Sequence, residues 1–288
     1  MMTSKPIKLM IRAAGYCTHP EWLTLRGGSL RSVAFPAGFA CILHPEHGPV
    51  LFDTGYSQRF FEETAHLPNA LYRYITPVIY QDKDSAASQL RAAGIAPDDV
   101  RYIVLSHFHG DHIGGLRDFP NARYIYLDKA YRAVKDLGSL ASVRAGFLPG
   151  LLPDDFVERS LPIREKDIVQ PFNAGKDSVF PCTEGYDLFG DGSLLAIELS
   201  GHAAGMIGLF VSTATDDYLL CADAVWSSRA YLEDRLPHPA AGLIMSDRQQ
   251  YKQSYDLLRQ LHRAFPTLCI VPSHCREALA AWGKGVLE

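Results

Sequence analysis

The sequence predicts an α+β fold, and three observations carry that expectation. Short apolar runs separated by turn-forming residues recur from residue 7 to residue 271, as strands do. Between them lie amphipathic helical stretches, the best at 246–265, where Tyr251, Tyr255, Leu258 and Leu261 form one stripe. Residues able to ligate a metal follow several of the strands, the place where a rigid scaffold presents functional loops.

Residues 7–13 read as a strand, Gly27-Gly28-Ser29 breaks the chain, and 39–43 resumes it. Glu46-His47-Gly48-Pro49 is turn chemistry, so a hairpin returns through Val50-Leu51-Phe52 and stops at Asp53-Thr54-Gly55. Residues 57–66 and 83–93 have helical composition, the second stretch closed by Gly94. Tyr102-Ile103-Val104-Leu105 is a buried strand, and Gly114-Gly115 further on lets backbone pack closely into a short helix. Residues 123–127 are a strand and 128–137 a helix capped by Asp128. From 138 to 180, Gly, Pro and large apolar residues mix without a period. That pattern fits an insertion or lid near a site mouth, or a plain structural loop. Its apolar content argues against disorder. Strands at 194–199, 207–212 and 218–221 follow. Then comes the long helix, for which Ser246 and Gln249 fit a capping box, and a last strand at 268–271. No repeat or linker interrupts residues 1–288, so one domain is expected.

With 288 residues, 47% of them hydrophobic, there is enough apolar material for a core that needs neither disulfide nor metal to form. A net charge of −4 without a long basic run speaks against a nucleic-acid partner. No apolar stretch approaches the roughly 20 residues that span a bilayer, and the start lacks a secretory apolar region. A cytoplasmic protein without a membrane partner is therefore expected. The six cysteines form no Cys-x-x-Cys pair and read as free thiols, with Cys221 and Cys275 packing near the site residues described next.

Three imidazoles and one carboxylate fall between His107 and His112 in Ser106-His107-Phe108-His109-Gly110-Asp111-His112, directly after the 102–105 strand. Imidazole and carboxylate are the usual ligands of first-row metals. Three more ligand-type residues wait at strand ends: His202, Asp223 and His274. Singly, each is more often a loop or core residue than a ligand. Together, seven such residues at four strand ends are hard to assign to packing. A separate Cys17-Thr18-His19 stretch has no partner at metal spacing and reads as a polar loop.

These residues resemble the metallo-β-lactamase superfamily, whose pattern is His-x-His-x-Asp-His, then a distant His, an Asp and a final His. Every position is filled here, and Asp53-Thr54-Gly55 looks like the family's early Asp-Thr-Gly turn. The resemblance implies a four-layer αβ/βα sandwich, two mixed β-sheets flanked by helices, with two divalent metal ions in the cleft. It implies one ion on His107, His109 and His202, a second on Asp111, His112 and His274, and Asp223 bridging both. The ligand chemistry suits zinc, with iron or manganese as alternatives. Asp53 is expected to fix a ligand imidazole's tautomer from behind. The implied reaction is attack of a metal-bound hydroxide on the substrate, with Asp111 and Asp223 as the catalytic carboxylates and Asp111 orienting the hydroxide or passing its proton to the leaving group.

His109 stands where the family's diiron flavoproteins carry glutamate, and Asp223 where the antibiotic-hydrolysing zinc enzymes carry cysteine. Both branches are thereby disfavoured. Length and motif surroundings look most like the N-acyl homoserine lactonases, so a small ester or lactone is the expected substrate. Alternatives are a thioester, phosphoester or sulfate ester, or a non-hydrolytic binding or redox member of the same fold. A hydroxyacylglutathione thioesterase would need a basic C-terminal segment for which the chain has no room after His274. One departure concerns the tyrosine that those lactonases carry three residues after the bridging aspartate. Trp226 stands there, with Tyr231 or Tyr56 as the nearest substitutes for the hydroxyl. Trp226, Tyr231, Phe147 and Trp22 are the candidates for contact with substrate, and Phe156 joins them as a candidate pocket wall. Beyond a small molecule, the one partner entertained is a second copy in a homodimer.

Overall fold

The computed structural model describes residues 6–170 and 181–282. Its strands form two mixed sheets. The first contains β1 (Lys8–Pro20), β2 (Ser32–His44), β3 (Gly48–Phe52), β4 (Val78–Ile79), β5 (Tyr102–Val104), β6 (Arg123–Leu127) and β7 (Ser160–Ile163), in the order β4-β1-β2-β3-β5-β6-β7. The second contains β8 (Tyr186–Asp187), β9 (Leu194–Glu198), β10 (Ile207–Ser212), β11 (Asp217–Ala222) and β12 (Cys269–Pro272), in the order β12-β11-β10-β9-β8. β1–β3 form antiparallel hairpins, whereas β3, β5, β6 and β7 run parallel. In the second sheet the β11–β12 pair is parallel and the rest antiparallel.

Two apolar clusters explain the layering. One joins residues of both sheets, among them Ile42, Val104, Ile125, Leu209, Leu220 and Val271, and reaches Tyr255, Leu258 and Leu261 of the helix Arg248–Ala264. The other packs the first sheet, through Cys41, Leu51, Ile103 and Tyr124, against Phe60, Leu90, Ile113 and Phe147. Helices therefore flank a pair of sheets, as the family resemblance implies. The sheets meet closely at the end that carries the ligand-type residues. There Ile207 N donates to Ser106 O (3.0 Å) and Gly38 N to Ser273 O (3.0 Å). A Cβ at Gly38 would lie 2.5 Å from that same oxygen, so only glycine permits the approach.

Several elements differ from the sequence expectation. β1 runs on to Pro20, so Cys17 and His19 lie on a strand rather than in a loop. A bulge between Ala13 and Tyr16, with Gly15 at φ +77°, resets the register and hides the continuation from a period-two pattern. The 83–93 helix is split into a turn at Asp82–Asp84 and a helix Ala86–Ala92 capped by the Ser85 side chain. The helix expected at 57–66 is Gln58–Glu63, and that at 128–137 is Asp128–Arg132. Asp128 sits inside the first turn and pairs with Arg132 instead of capping. Asp247, not Ser246, caps the long helix by accepting from the backbone N–H of Gln249 and Gln250.

The 138–180 stretch is more regular than expected as far as it is described. It contains the helix Ser139–Arg144, a turn at Pro149–Leu151 and β7, which extends the parallel sheet beside β6. Pro162 is tolerated because β7 is an edge strand. Phe147, Leu148, Leu151 and Phe156 are buried in the core between sheet and helices. Residues 171–180, including Pro171 and Phe172, lie outside the described residues.

Candidate metal centre

Strand ends bring the seven ligand-type residues together. The 102–105 run delivers His107 and His109, and the short helix Gly110–Ile113 carries Asp111 and His112. The turns after β9, β11 and β12 supply His202, Asp223 and His274. His107 and His112 are fully buried, and the others are at least nearly so, apart from half-buried His109. The cluster resolves into three overlapping groups whose ligand atoms lie within 4.8 Å of one another. These are His107, His109 and His202; His107, His112 and Asp223; and Asp111, His112 and His274.

Hydrogen bonds on the outer side of the rings decide which nitrogens face inward. His112 Nδ1 donates to Asp53 Oδ2 (2.7 Å). His274 Nδ1 donates to the Pro36 carbonyl (2.7 Å). The Ser106 hydroxyl donates to Asp53 Oδ2 (2.6 Å), so it accepts from His107 Nδ1 at 2.9 Å. With protons held on those Nδ1 atoms, the Nε2 lone pairs of His107, His112 and His274 point into the centre. His109 differs: its Nδ1 faces His202 Nε2 at 2.9 Å. Gly146 packs on the other side of that ring, where a Cβ would come within 2.7 Å of His109 Cδ2. Asp223 spans the middle, Oδ2 lying 2.9 Å from His274 Nε2 and 3.2 Å from His202 Nε2, and Oδ1 3.4 Å from His112 Nε2. Asp111 Oδ2 is 3.3 Å from His274 Nε2.

Buried polar atoms normally find partners. Here His107 Nε2, His112 Nε2 and Asp223 Oδ1 are buried without one and are directed at the same small volume. A group of orphaned imidazole and carboxylate lone pairs is what a divalent cation satisfies, so the residues fit a metal. Electrostatics divide the imidazoles into two sets. Burial, then neighbouring imidazoles, push His107 well below the usual histidine range, and burial takes His109 down to about 4. Burial likewise lowers His202 against the pull of Asp223. For His112 burial acts in the same direction but is outweighed by Asp53, Asp111 and Asp223, and its pKa is raised. His274 is raised by Asp223, again against burial. Burial would raise Asp223, yet His274, His112 and His202 hold it well below the carboxylate range.

Asp53 stands behind this cluster as its outer support. It is fully buried, with φ +59°, and accepts from Ser106 N (2.8 Å), Ser106 Oγ and His112 Nδ1. Ser106 was visible in the motif, but nothing in its identity marks it as the link between Asp53 and two imidazoles. Of the four residues expected to contact substrate, Trp226 alone is drawn into the cluster, its Nε1 donating to Asp223 Oδ2 at 3.1 Å. Tyr231 instead donates to the Ile270 carbonyl and is buried. Phe147 is 2% exposed in the core against Phe108, and Phe156 likewise is buried and packs with Tyr124 and Tyr126. Trp22 packs edge-on against His238. Three residues stand on the other flank, of which the sequence singled out only Tyr56, as a substitute hydroxyl. Cys17 and His19 share one face of β1, and both feel the charge of Asp111. The buried Tyr56 hydroxyl, beside the Cys17 thiol, has no hydrogen-bond partner of normal geometry.

Two sheets that present imidazoles and carboxylates from their strand ends into one buried cluster define a metallohydrolase scaffold. The chain belongs to the metallo-beta-lactamase superfamily, whose family profile matches residues 37–274. It is a metal-dependent hydrolase of that superfamily, distantly related to N-acyl homoserine lactonases. The N-acyl homoserine lactonase AttM of Azorhizobium caulinodans is 28% identical over 231 residues, covering 80% of each chain. A probable metallo-hydrolase of Mycobacterium tuberculosis is 26% identical, covering 84% of this chain and 76% of the relative. Among solved structures, an N-acyl homoserine lactone hydrolase with N-hexanoyl-L-homoserine at its catalytic metal centre superposes with a TM-score of 0.68. That match has 20% identity and covers 97% of both chains. The dizinc quorum-quenching lactonase AidC matches with a TM-score of 0.62 at 16% identity, over 96% of this chain and 89% of its own. These likenesses carry the fold. No helix among the described residues is long and apolar enough to cross a membrane.

Proposed function

We infer that this protein hydrolyses a small ester or lactone at a dinuclear centre, with zinc the metal its ligands suit best. One ion would be held by His107, His109 and His202, the other by Asp111, His112 and His274, and Asp223 would serve both. The observation that carries this is the convergence of the unpartnered His107 Nε2, His112 Nε2 and Asp223 Oδ1, while outer hydrogen bonds fix the tautomers of His107, His112 and His274. The N-acyl homoserine lactonases among the relatives support the ester or lactone class.

Two divalent ions bound there would supply Lewis acidity for a carbonyl oxygen and would bring the pKa of the attacking water toward neutrality. The protein's own part is positional. Asp53 and the Pro36 carbonyl hold His112 and His274 so that their Nε2 atoms face the cluster. Asp111 is the carboxylate within reach of a substrate, its side chain 10% exposed against 3% for Asp223 and none for Asp53. It orients the attacking water and returns a proton to the leaving alkoxide oxygen.

Metal content and turnover together test this. The expected result is about two equivalents of metal per chain and hydrolysis of lactones or simple esters from a panel that also holds thioesters, phosphodiesters and sulfate esters. Less than one equivalent in protein prepared with added zinc would remove the dinuclear centre. Turnover confined to phosphodiesters or thioesters would replace the substrate class and leave the centre standing.

A further inference from the structure

We propose that Trp226 is a positioning residue for Asp223 and not a substrate contact. The proposal rests on the dinuclear centre inferred above. The turn that carries Asp223 is tight: Ala222 is left-handed at φ +49°, its carbonyl accepts from Ser273 N (3.1 Å), and Ala224 N returns to the Cys221 carbonyl (3.1 Å). Three residues past Asp223, the chain brings the Trp226 indole back onto the carboxylate, Nε1 to Oδ2, at 3.1 Å. The ring is wedged rather than displayed. It is 5% exposed, stands perpendicular to His202 with centroids 5.4 Å apart, and leans on Tyr251 of the long helix at 6.1 Å.

The remaining polar neighbours of Asp223 show why this bond matters. They are His112, His202 and His274, and each of their Nε2 atoms is assigned to an ion. Among the described residues, the indole N–H is the one donor to Asp223 left over once those imidazoles turn to metal. Trp suits that place for chemical reasons. Its N–H is a permanent donor that neither ionises nor accepts, so it holds a carboxylate without competing for a cation. Its apolar body keeps water from the flank of the carboxylate. An indole already bonded to Asp223 and packed on His202 is not free to meet substrate.

Removing the donor while keeping an aromatic ring, Trp226→Phe, therefore acts on metal retention. In equilibrium competition with a chromophoric chelator, the variant is expected to hold zinc ten- to a hundredfold more weakly than wild type. Excess zinc should restore most of kcat, and KM should stay within about twofold. A raised KM with metal affinity unchanged would overturn the proposal in favour of a substrate contact. A lowered melting temperature with affinity and kinetics unchanged would overturn it in favour of plain packing. If wild type itself holds no zinc, the dinuclear centre falls and the proposal with it; equal affinity of wild type and variant removes the proposal alone. A second measurement needs no variant to fold. In zinc-loaded wild type labelled at the indole nitrogens, one of the three tryptophan N–H signals should exchange with solvent at least tenfold slower than in free indole and move when cobalt replaces zinc. If no cobalt-shifted indole signal is protected, the bond to Asp223 does not exist in solution and the proposal is overturned.

Discussion

Asp53→Asn separates charge and hydrogen-bond direction from shape at the support behind the centre. The backbone at this position is left-handed, φ +59°, and asparagine is among the few residues that tolerate it, so the substitution leaves the turn in place. The hydrogen bonds do not survive equally. Asp53 accepts three: from Ser106 N at 2.8 Å, Ser106 Oγ at 2.6 Å and His112 Nδ1 at 2.7 Å. An amide in one orientation keeps the bond from Ser106 N but aims its NH2 at His112 Nδ1. That forces the imidazole proton to Nε2 and closes the lone pair that faces the centre. In the other orientation the NH2 opposes Ser106 N–H, leaving a buried donor unpaired at a cost of about 1–3 kcal/mol. Either way the ion on His112 is held less well, by roughly ten- to a hundredfold, equivalent to about 1.4–2.8 kcal/mol. The assay is equilibrium competition for zinc, with nitrogen chemical shifts of His112 reporting the tautomer. Wild-type affinity together with an unchanged His112 tautomer would refute the reasoning, because it would mean that Asp53 supports the fold and not the ligand.

Three further outcomes are expected. Asp223→Ala should lose one of two metal equivalents and at least about a thousandfold in kcat/KM, since it removes the carboxylate proposed to serve both ions; His19→Ala, outside all three ligand groups, should retain both ions. Metal binding should weaken as pH falls, because protons compete for the ligand nitrogens and the neighbouring carboxylates, against burial, raise His112 and His274 above the usual histidine value, whereas burial lowers His107, His109 and His202. Calorimetry at neutral pH in buffers of different ionisation enthalpy should then read net proton release on loading, and zero release would contradict that assignment. Gly201→Ala should destabilise by about 3 kcal/mol or more, lowering the melting temperature by roughly 6–12 °C, because φ there is +131° and a Cβ would lie 2.0 Å from the backbone nitrogen of Tyr251.

Much of this architecture was legible in the sequence, for a physical reason. Ligand-type side chains are polar and their burial costs free energy, so a row of them after apolar strands is conspicuous. The short runs at 102–105, 194–199 and 218–221 fall within a residue or two of β5, β9 and β11. What escaped was set by contacts distant in sequence. The extension of β1 to Pro20 depends on a glycine bulge and on pairing with Ser32–Pro36, neither of which leaves an alternating pattern. Ser246 resembled a cap because it begins the right spacing. Its hydroxyl donates to the Gly201 carbonyl while Asp247 caps the helix, so both residues serve the turn that carries His202. Phe147 looked like a pocket wall because an irregular segment surrounds it, but the neighbouring Gly146 packs that segment onto His109 and turns the ring into the core.

Spacing points to candidate ligand residues but not to the nitrogen each imidazole offers. That choice is made by acceptors on other elements: Asp53 after β3, Ser106 after β5 and Pro36 within β2. The last of these shows how fold and site depend on one another. β2 is long enough for Pro36 to reach His274 across the gap between the sheets, and the gap closes there because Gly38 lets Ser273 approach without a Cβ in the way. Glycine at 38 therefore sets the orientation of an imidazole that it does not touch. The pairing of the two sheets and the tautomer of His274 are then one structural feature, and any side chain at residue 38 should disturb both together.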